Sequence, residues 1–440
     1  MKILNGKIKI RVFKGDSLPR EISGRRWPNR KGIDPKIIER VEAIIDEIRG
    51  RGDSALIDFT KKFDGVRLSP EDLRVKREEI ERAYERVDDR LISAIEYSKS
   101  SIEPLQREIL NRLRFTLEDR NVKIKVCVSP IHRIGCYVPG GEASYPSTLI
   151  MTVTPAKIAG VSEIAICSPP NRMGEVAPSI LVAADICGVN EIYKLGGAQA
   201  IAALAYGTET IRPVEKIFGP GNIYVQTAKI LVSKDLPIDV PAGPSEIAII
   251  ADEKADPYII ALDMISQAEH TDASSVLVTT SSILAENVVR MLNELIDSLP
   301  NSQVISENLR SNGLIIICKE MREAIRVINE FAPEHLEILS EDAWEVAEKI
   351  ESAGLILVGA YTPVAASDYC LGTIHVLPTG GFSRIYSGLS VLDFIRHFCI
   401  VESSKSRLMD VRDKVRILAE NEGLINHSFA VEGRFRSEYT

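Results

Sequence analysis

The residues with the clearest potential for chemistry lie at the end of an apolar run, where Gln267 and His270 stand three positions apart. Residues 258–265 have helical spacing, and Asp256 followed by Pro257 is typical of a helix start. Side chains three apart on a helix project from the same face. An amide oxygen and an imidazole placed side by side could hold two positions of a divalent cation. Such a site requires further ligands from elsewhere in the chain, and a polar helix end with a surface histidine is the alternative.

A second candidate is the pair Glu334 and His335, which lies between a predicted helix and a predicted strand. We expect this junction at the carboxyl edge of an α/β sheet, where active sites collect. A carboxylate beside an imidazole could provide two proton-transfer groups. A turn with exposed polar side chains is the alternative interpretation.

Two further pairings of a carboxylate with an imidazole occur towards the carboxyl terminus. Asp368 precedes His375, and Glu422 precedes His427. Together with the Gln267 and His270 positions, these side chains would complete a nitrogen and oxygen ligand set suited to zinc.

Three glycine-bearing turns, at residues 135–141, 196–199 and 219–222, each follow a predicted strand. Backbone amides in such turns can meet a phosphate group. None matches the dinucleotide-binding fingerprint, because Tyr224 occupies the position of the third glycine in the best candidate.

The composition limits the class of protein. A chain of 440 residues with 45% hydrophobic and 26% charged residues is globular and long enough for two or more domains. The net charge of -8 argues against nucleic acid as a partner. No apolar run reaches 18 residues, so we expect no membrane span, and the first ten residues lack a signal-peptide core. The 7 scattered cysteines fit reduced thiols. These features predict a cytoplasmic protein.

The pattern of the chain predicts an α/β fold. The first hundred residues are interpreted as helices, and from Phe115 onward strands and helices alternate in a manner that favours parallel sheets. We place the boundary between two α/β units near residues 239–245. After Thr379 the pattern changes, and residues 391–398 and 403–420 are predicted as helices of a tail too small for its own core.

Together these segments resemble the histidinol dehydrogenase family from about Asp34 to about Glu432. The motifs that carry the resemblance lie at residues 137–141, 196–199, 219–222, 242–246, 266–270, 331–336 and 375–379. The resemblance implies a zinc-containing, NAD-dependent homodimer with two incomplete Rossmann-like lobes, N-terminal helices and a helical tail exchanged between subunits. It further implies an N-terminal segment at 1–33, a lobe with the metal and catalytic residues at 34–128 and 244–380, an NAD-binding lobe at 129–243, and a tail at 381–440.

The resemblance also implies roles for individual residues, carried over motif by motif. The implied zinc ligands are Gln267, His270, Asp368 and, from the neighbouring subunit, His427. The implied catalytic pair is Glu334 and His335. Substrate contacts are expected from the zinc ligands, from His335, and from Ser245, His375 and Glu422. The implied NAD contacts are Tyr137, Gln199 and Asn222.

The chemistry of these side chains agrees with the implied reaction, the oxidation of L-histidinol to L-histidine through L-histidinaldehyde. Zinc can take the imidazole and amine nitrogens of the alcohol and so orient it. His335 can remove the hydroxyl proton as hydride leaves for NAD. Glu334 can then activate water to attack the aldehyde, and a second NAD accepts the next hydride. A metal-anchored aldehyde would not be released.

The sequence departs from the usual family pattern at Ser367, beside Asp368, and at Ile374, beside His375. One alternative is a related dehydrogenase for another small alcohol such as a sulfonated propanediol, for which Arg434 or Arg436 would contact the sulfonate. A catalytically silent metal-binding relative is the second alternative. Aldehyde oxidation through a cysteine thiolate is the third.

Overall fold

The computed structural model describes residues 2–4, 10–17, 32–140, 144–240, 243–270 and 272–435. Two sheets, one mostly and one wholly parallel and each covered by helices, form an α/β protein, so the predicted fold class is confirmed. Gly141, Ala242 and Arg436, which the sequence analysis included, lie outside the described residues. No helix within the described ranges has the length and apolar character that a bilayer span requires.

The larger sheet contains seven strands among the described residues. In spatial order they are β1 (Lys2–Leu4), β2 (Ile10–Lys14), β11 (Gly313–Ile317), β10 (Ser274–Thr279), β9 (Glu246–Ala251), β12 (His335–Leu339) and β13 (Leu355–Val358). All pairs are parallel except β1 with β2. Strands β11 to β13 therefore follow the order 3-2-1-4-5 of a doubly wound sheet that lacks its last strand.

Helices cover both faces of the larger sheet because its central strands, such as β9, are aliphatic on both faces. The helices of this lobe are α9 (Pro257–Ala268), α10 (Ser282–Leu295), α11 (Ser302–Asn312), α12 (Met321–Phe331), α13 (Ala343–Ala347) and α14 (Val364–Tyr369). One core contains α9, α10 and α11, and α12 and α13 pack on the opposite face.

The smaller sheet has four parallel strands within the described part of the chain. In spatial order they are β7 (Glu191–Lys194), β6 (Glu163–Ser168), β5 (Arg133–Tyr137) and β8 (Lys216–Phe218). Its helices are α5 (Pro146–Ala159), α6 (Pro178–Ile186), α7 (Gly197–Tyr206) and α8 (Ile223–Val232). The order 3-2-1-4 makes this a second incomplete Rossmann-like sheet.

The predicted N-terminal helices are present, but they pack on the smaller sheet. They are α1 (Pro35–Arg51), α2 (Asp53–Phe63), α3 (Arg77–Glu85) and α4 (Asp89–Arg112). Val41 and Ile48 share a core with Ile201, and Ile102 shares another with Leu149. The assignment of residues 34–112 to the lobe with the metal and catalytic residues is therefore corrected. An amphipathic helix does not reveal which sheet its apolar face covers.

The described residues before residue 18 form the strands β1 and β2 and one short 3-10 turn at Gly15–Ser17. β2 pairs with β11 in parallel register, so that Arg11 lies opposite Leu314 and Lys14 opposite Ile317. The alternation of charged and aliphatic residues near the amino terminus has the period of a strand. The helical interpretation of the first hundred residues was wrong here.

The tail also differs from its prediction, because residues 395–398 are not helical. β14 (Ile395–Ser403) pairs antiparallel with β4 (Val122–Pro130), which in turn pairs with β3 (Thr116–Asp119). After this three-stranded sheet, the chain forms α15 (Lys405–Asn421) and α16 (Ile425–Glu432), which pack on each other. In these two helices, Ala419 and Ser428 are the buried residues. The predicted helix at 403–420 is confirmed, and most of its surface faces outward.

Candidate active site

Gln267 and His270 lie at the end of α9, whose start is capped by the Asp256 carboxylate accepting from the Tyr258 amide at 2.8 Å. The spacing predicted that Gln267 and His270 lie on one helix. The helix ends at Ala268, so that prediction is wrong for His270, which lies beyond it. The His270 amide donates to the Gln267 carbonyl at 3.2 Å and continues the turn. Gln267 is buried with no partner for its Nε2, whereas His270 is exposed.

Asn308, which sequence reasoning missed, holds this turn from α11. Its buried Nδ2 donates to the carbonyls of Ala268 at 2.9 Å and His270 at 2.7 Å. A buried amide that satisfies two carbonyls fixes their backbone. The available signal was an asparagine on the apolar face of a helix, but α11 itself was not predicted.

Glu334 and His335 are placed by the junction between α12 and β12. Ala332 ends the helix in the left-handed conformation, with φ 51 and ψ 66, and turns the chain into the sheet. His335 begins β12, so the pair lies at the amino edge of the larger sheet. The expectation of a carboxyl-edge site is therefore wrong for this lobe, because a helix-to-strand junction always lies at the start of a strand.

Burial and a hydrogen bond from the backbone determine the pKa and the position of the Glu334 carboxyl. Its Oε2 accepts from the Glu246 amide at 2.8 Å, and the side chain is almost entirely buried. Burial raises the pKa of Glu334 to about 7, although the adjacent His335 opposes the shift. A carboxyl that titrates near neutral pH can act as a general base or acid.

His335 lies between two carboxylates. Its Nδ1 is 3.7 Å from Glu334 Oε2, and its Nε2 is 3.4 Å from Asp368 Oδ1. Burial alone would lower the pKa of His335, but the carboxylates of Glu334 and Asp368 outweigh burial and raise it. The arrangement favours an imidazole that can accept a proton.

Asp368 and His375 belong to the same cluster. The Nδ1 of His375 is 2.8 Å from the Asp368 carbonyl oxygen, and an N–H at Nδ1 would leave Nε2 free to accept. Burial lowers the pKa of His375, which favours the neutral ring. Ser367 and Ile374, the two positions that differ from the usual family pattern, lie beside these residues. The Ser367 hydroxyl donates to the Val364 carbonyl at 2.9 Å, and Ile374 packs in an apolar core.

Ser245 and Tyr369 adjoin the cluster, because Ser245 directly precedes Glu246, whose amide binds Glu334, and Tyr369 directly follows Asp368. Ser245 is half-buried directly before β9, and its carbonyl accepts from the Ser274 amide at 3.0 Å. Burial, together with the charges of Asp368, Tyr145 and Glu269, raises the pKa of Tyr369. Tyr145 directly precedes α5, and Ser98 Oγ of α4 donates to the Tyr369 carbonyl at 2.6 Å, so a helix that packs on the smaller sheet contacts the end of α14.

The side-chain atoms of the cluster are of the types that bind metal ions, but too few of them lie together to hold one. Buried polar atoms without a partner are Gln267 Nε2, both ring nitrogens of His335, and Asp368 Oδ1. Across the described ranges, no three imidazole, thiol or carboxylate side chains are grouped closely enough to hold a metal. A metal held by Gln267, His270 and Asp368 would therefore need a ligand from outside this arrangement.

The predicted NAD-contacting residues lie at the carboxyl edge of the smaller sheet. Tyr137 ends β5, and its hydroxyl accepts from the Gly197 amide at 3.2 Å. Gln199 is buried in α7. Asn222 caps α8 by accepting from the amides of Tyr224 at 3.0 Å and Val225 at 3.2 Å. These turns follow strands in the position where doubly wound folds bind their ligands.

A substitution at Gly219 tests how tightly these turns are built. Gly219 has φ +114, and a Cβ there would lie 2.0 Å from the Tyr137 carbonyl oxygen. We expect Gly219→Ala to lower the free energy of unfolding by about 2–4 kcal/mol. Gly423→Ala is the matched control: φ is +73 and no heavy atom lies within 4 Å. Denaturant unfolding should show a loss of only about 1 kcal/mol for the control, and equal losses would contradict the close approach.

Glu422 and His427 are not brought to the cluster within the chain. Glu422 ends α15 and His427 lies in α16, and both are exposed. Arg434, the residue considered for a sulfonate, donates to the Ala430 carbonyl on the same tail. The structure therefore groups Glu334, His335, Asp368 and His375, with the tail residues apart.

Four of the seven cysteines are buried, in surroundings that do not favour a nucleophilic thiolate. Burial raises the pKa of the thiols of Cys136 and Cys167, and raises the pKa of Cys187 to about 11 and of Cys318 to about 12. Thiols of this kind remain protonated near neutral pH. The buried cysteines therefore pack in the core and do not favour a thiolate mechanism.

The two doubly wound sheets and the buried carboxylate–imidazole pair define a two-lobed α/β protein with a candidate proton-transfer site. The family model described as histidinol dehydrogenase matches residues 29–435. The chain belongs to the histidinol dehydrogenase family.

Individual relatives agree with this assignment over most of their length. The chain is 46% identical to the histidinol dehydrogenase of Methanothermobacter thermautotrophicus over 401 residues, covering 91% of this chain and 94% of that one. It is 44% identical to that of Clostridium acetobutylicum over 429 residues, covering 97% and 99%. The crystal structure of histidinol dehydrogenase from Elizabethkingia anophelis superimposes with a TM-score of 0.92 at 34% identity, covering 99% of this chain and 100% of that one.

Proposed function

We propose that this protein oxidises L-histidinol to L-histidine through L-histidinaldehyde, with two molecules of NAD as hydride acceptors. The observation that carries the proposal is the line formed by the buried Glu334 and His335 and the half-buried Asp368, in which an imidazole lies 3.7 Å and 3.4 Å from two carboxylates. An alcohol oxidation needs one group to accept a hydroxyl proton, and an aldehyde oxidation needs one to activate water. The site offers both.

Zinc is the metal that the donor set suits. Gln267, His270 and Asp368 would hold it, with His427 of a second copy of the chain as a further ligand. Zinc would supply a fixed point of attachment for the nitrogen atoms of the amino alcohol. Gln267 Nε2 is buried without a hydrogen-bond partner, and Asp368 Oδ1 has only the 3.4 Å contact with His335 Nε2, which supports a further ligand at this position. Because Nε2 is a donor and an amide oxygen is the ligand, binding requires the opposite orientation of the Gln267 amide.

His335 is proposed as the base in the first oxidation. The hydroxyl proton of L-histidinol passes to a ring nitrogen of His335 as hydride leaves for NAD. The carboxylates of Glu334 and Asp368 stabilise the resulting imidazolium, since they lie on opposite sides of the ring. Burial of His335 and Glu334 strengthens both interactions.

Glu334 is proposed as the base in the second oxidation. Its carboxylate accepts a proton from water as the water oxygen attacks the aldehyde carbon. The hydrated aldehyde then loses hydride to a second NAD, and the carboxylate of L-histidine forms. The Glu246 amide fixes the carboxylate through its 2.8 Å hydrogen bond.

Substrate contacts are proposed for Ser245, His375 and Glu422. Ser245 lies at the same amino edge of the larger sheet as Glu334. A neutral His375 can accept a hydrogen bond from the amine. Glu422 would meet the cationic substrate from the tail of a second copy. NAD is proposed to contact Tyr137, Gln199 and Asn222, at the turns of the smaller lobe.

A homodimer with exchanged tails is part of the proposal. The tail helices leave large apolar side chains exposed, with Ile417 60%, Leu418 62% and Phe429 64% accessible. Apolar groups of this size on facing helices favour a partner surface. A second copy would cover them and bring His427 and Glu422 to the Gln267 turn.

The proposed function is tested by the yield of NADH. L-Histidinol supplied in limiting amount with excess NAD should give about two NADH and one L-histidine per alcohol consumed, because both oxidations occur at one site. Absorbance at equilibrium and amino-acid analysis measure the two products. A yield of one, or no turnover, would contradict the proposal, and a sulfonated propanediol tested in parallel would reveal the related activity.

Metal removal gives a second test. Chelation should abolish turnover, and added zinc should restore it, since the substrate loses its point of attachment. Asp368→Asn should lower zinc affinity by about 10- to 100-fold, measured by competition with a chromogenic chelator. Asp342→Asn, on the same lobe away from the cluster, is the control. Full activity in the metal-free protein would contradict the role of zinc.

A further inference from the structure

A buried ion pair lies beneath the glycine turn at residues 219–222. Lys229, on α8, and Asp239, after that helix, contact each other with side chains only 1% and 2% exposed. Withdrawing two charges from water is costly unless their geometry and additional hydrogen bonds compensate. The further hydrogen bonds of this pair indicate what it holds.

Both charged groups bind the same residue, Gly219. The Gly219 amide donates to Asp239 Oδ2 at 2.7 Å, and Lys229 Nζ donates to the Gly219 carbonyl at 2.9 Å. The two polar groups of one residue are thus held by opposite charges in a buried environment. Charge-assisted hydrogen bonds of this kind are stronger than neutral ones.

The position of Asp239 is itself fixed by the sheet. The Asp239 amide donates to the Ile217 carbonyl at 3.0 Å, and the Ile217 amide donates to the Pro237 carbonyl at 3.1 Å. Residues 237–239 therefore run beside β8, and Ile238 forms a parallel bridge to Ile217. The acidic member of the pair is held by the sheet, and the basic member by the helix that follows the turn.

Fixing Gly219 fixes the surrounding turns. A Cβ on Gly219 would lie 2.0 Å from the Tyr137 carbonyl oxygen, so the turn packs directly on the end of β5. The Tyr137 hydroxyl accepts from the Gly197 amide, and the turn ends at Asn222, the cap of α8. Displacement of Gly219 would be transmitted to each segment proposed to contact NAD.

We propose that Lys229 and Asp239 are positioning residues for the dinucleotide, which hold the turn at 219–222 in the shape that receives its pyrophosphate. The pair also cancels the charge of Asp239, which would otherwise repel an anionic ligand. This inference rests on the proposed use of NAD. We expect neither side chain to touch the dinucleotide, because both are almost fully buried and both bind the backbone of Gly219.

The test separates positioning from stability with the double variant Lys229→Met/Asp239→Asn. It removes both charges and leaves an amide oxygen to accept from Gly219, so we expect a melting temperature near that of the wild type. The Gly219 carbonyl loses its donor. The KM for NAD and the dissociation constant of NADH, measured by fluorescence, should each rise about tenfold. Zinc content and kcat at saturating NAD should change less than about twofold.

The matched control is an ion pair at the amino edge of the same sheet, between the buried Arg133 and the half-buried Glu191 at 2.5 Å. Arg133→Met/Glu191→Gln should leave NADH affinity unchanged, whatever its effect on stability. Wild-type NADH affinity in the Lys229→Met/Asp239→Asn variant, or an equal loss in the control, would overturn the proposal. Failure of the wild type to bind NADH would instead overturn the proposed function.

Discussion

Glu334→Gln is expected to stop the reaction at the aldehyde, so that the NADH yield per L-histidinol falls from about two to about one. Glutamine can still accept from the Glu246 amide but cannot take a proton from water. Loss of a general base lowers a rate by about 10²- to 10⁴-fold. The first oxidation should continue because it depends on His335.

Rapid-mixing absorbance at 340 nm and trapping of the aldehyde with a hydrazine would separate the two steps. Glu337→Gln is the matched control, because that carboxyl lies three residues further on in β12, is equally buried, and burial raises its pKa to about 9. The control should retain the yield of two. His335→Asn should instead slow the first oxidation. An undiminished second step in Glu334→Gln would remove Glu334 from the proposed mechanism.

The pH dependence of the second step should follow the same carboxyl. Its pKa of about 7 means that Glu334 is ionised above neutral pH, so the rate should fall about tenfold per pH unit below that value. In Glu334→Gln this dependence should be absent. For stability the sign is reversed: a carboxyl whose pKa is raised on folding makes the protein less stable as pH rises from about 4.5 to about 7. Metal-free Glu334→Gln should therefore gain about 1–3 kcal/mol at pH 8.

The local features of the fold were predictable because they depend on neighbouring residues. Asp34 before Pro35 and Asp256 before Pro257 predicted helix starts, and both aspartates accept from the amide two residues on. Aliphatic runs such as 313–317 predicted buried parallel strands, as observed in β11. These signals were sufficient for the order of helices and strands.

Features that depend on distant parts of the chain were not predictable in this way. The β-branched and aromatic residues of β14 also fitted a helix, and only their pairing with β4 selects the strand. The hydrogen bonds from Asn308 to the carbonyls of Ala268 and His270 join residues that are 40 and 38 positions apart in the chain. The edge of the sheet at which Glu334 lies was predictable from the sequence, because a residue between a helix and the following strand lies at the amino edge of that strand. The roles carried over by resemblance remain predictions, although Glu334, His335 and Asp368 lie together.

Exchange of the tail should be revealed by a mixed dimer. One chain carries His335→Asn in its body, and the other carries His427→Ala in its tail; either substitution alone should leave a homodimer nearly inactive. If each tail completes the site of its partner, a mixed dimer has one site with both residues intact. It should therefore recover about half of the wild-type activity.

The mixed dimer can be isolated by giving the two chains different affinity tags and purifying on both in succession. A mixed dimer of His335→Asn with Glu334→Gln is the control, because both substitutions lie in the body and neither site can be intact. That control should lack full turnover to L-histidine. If each tail instead served its own chain, both sites of the His335→Asn and His427→Ala dimer would carry a substitution. The exchange that the exposed helices α15 and α16 favour would be excluded if the mixed dimer of His335→Asn with His427→Ala were inactive. Normal zinc content in the His335→Asn homodimer is the condition for this conclusion.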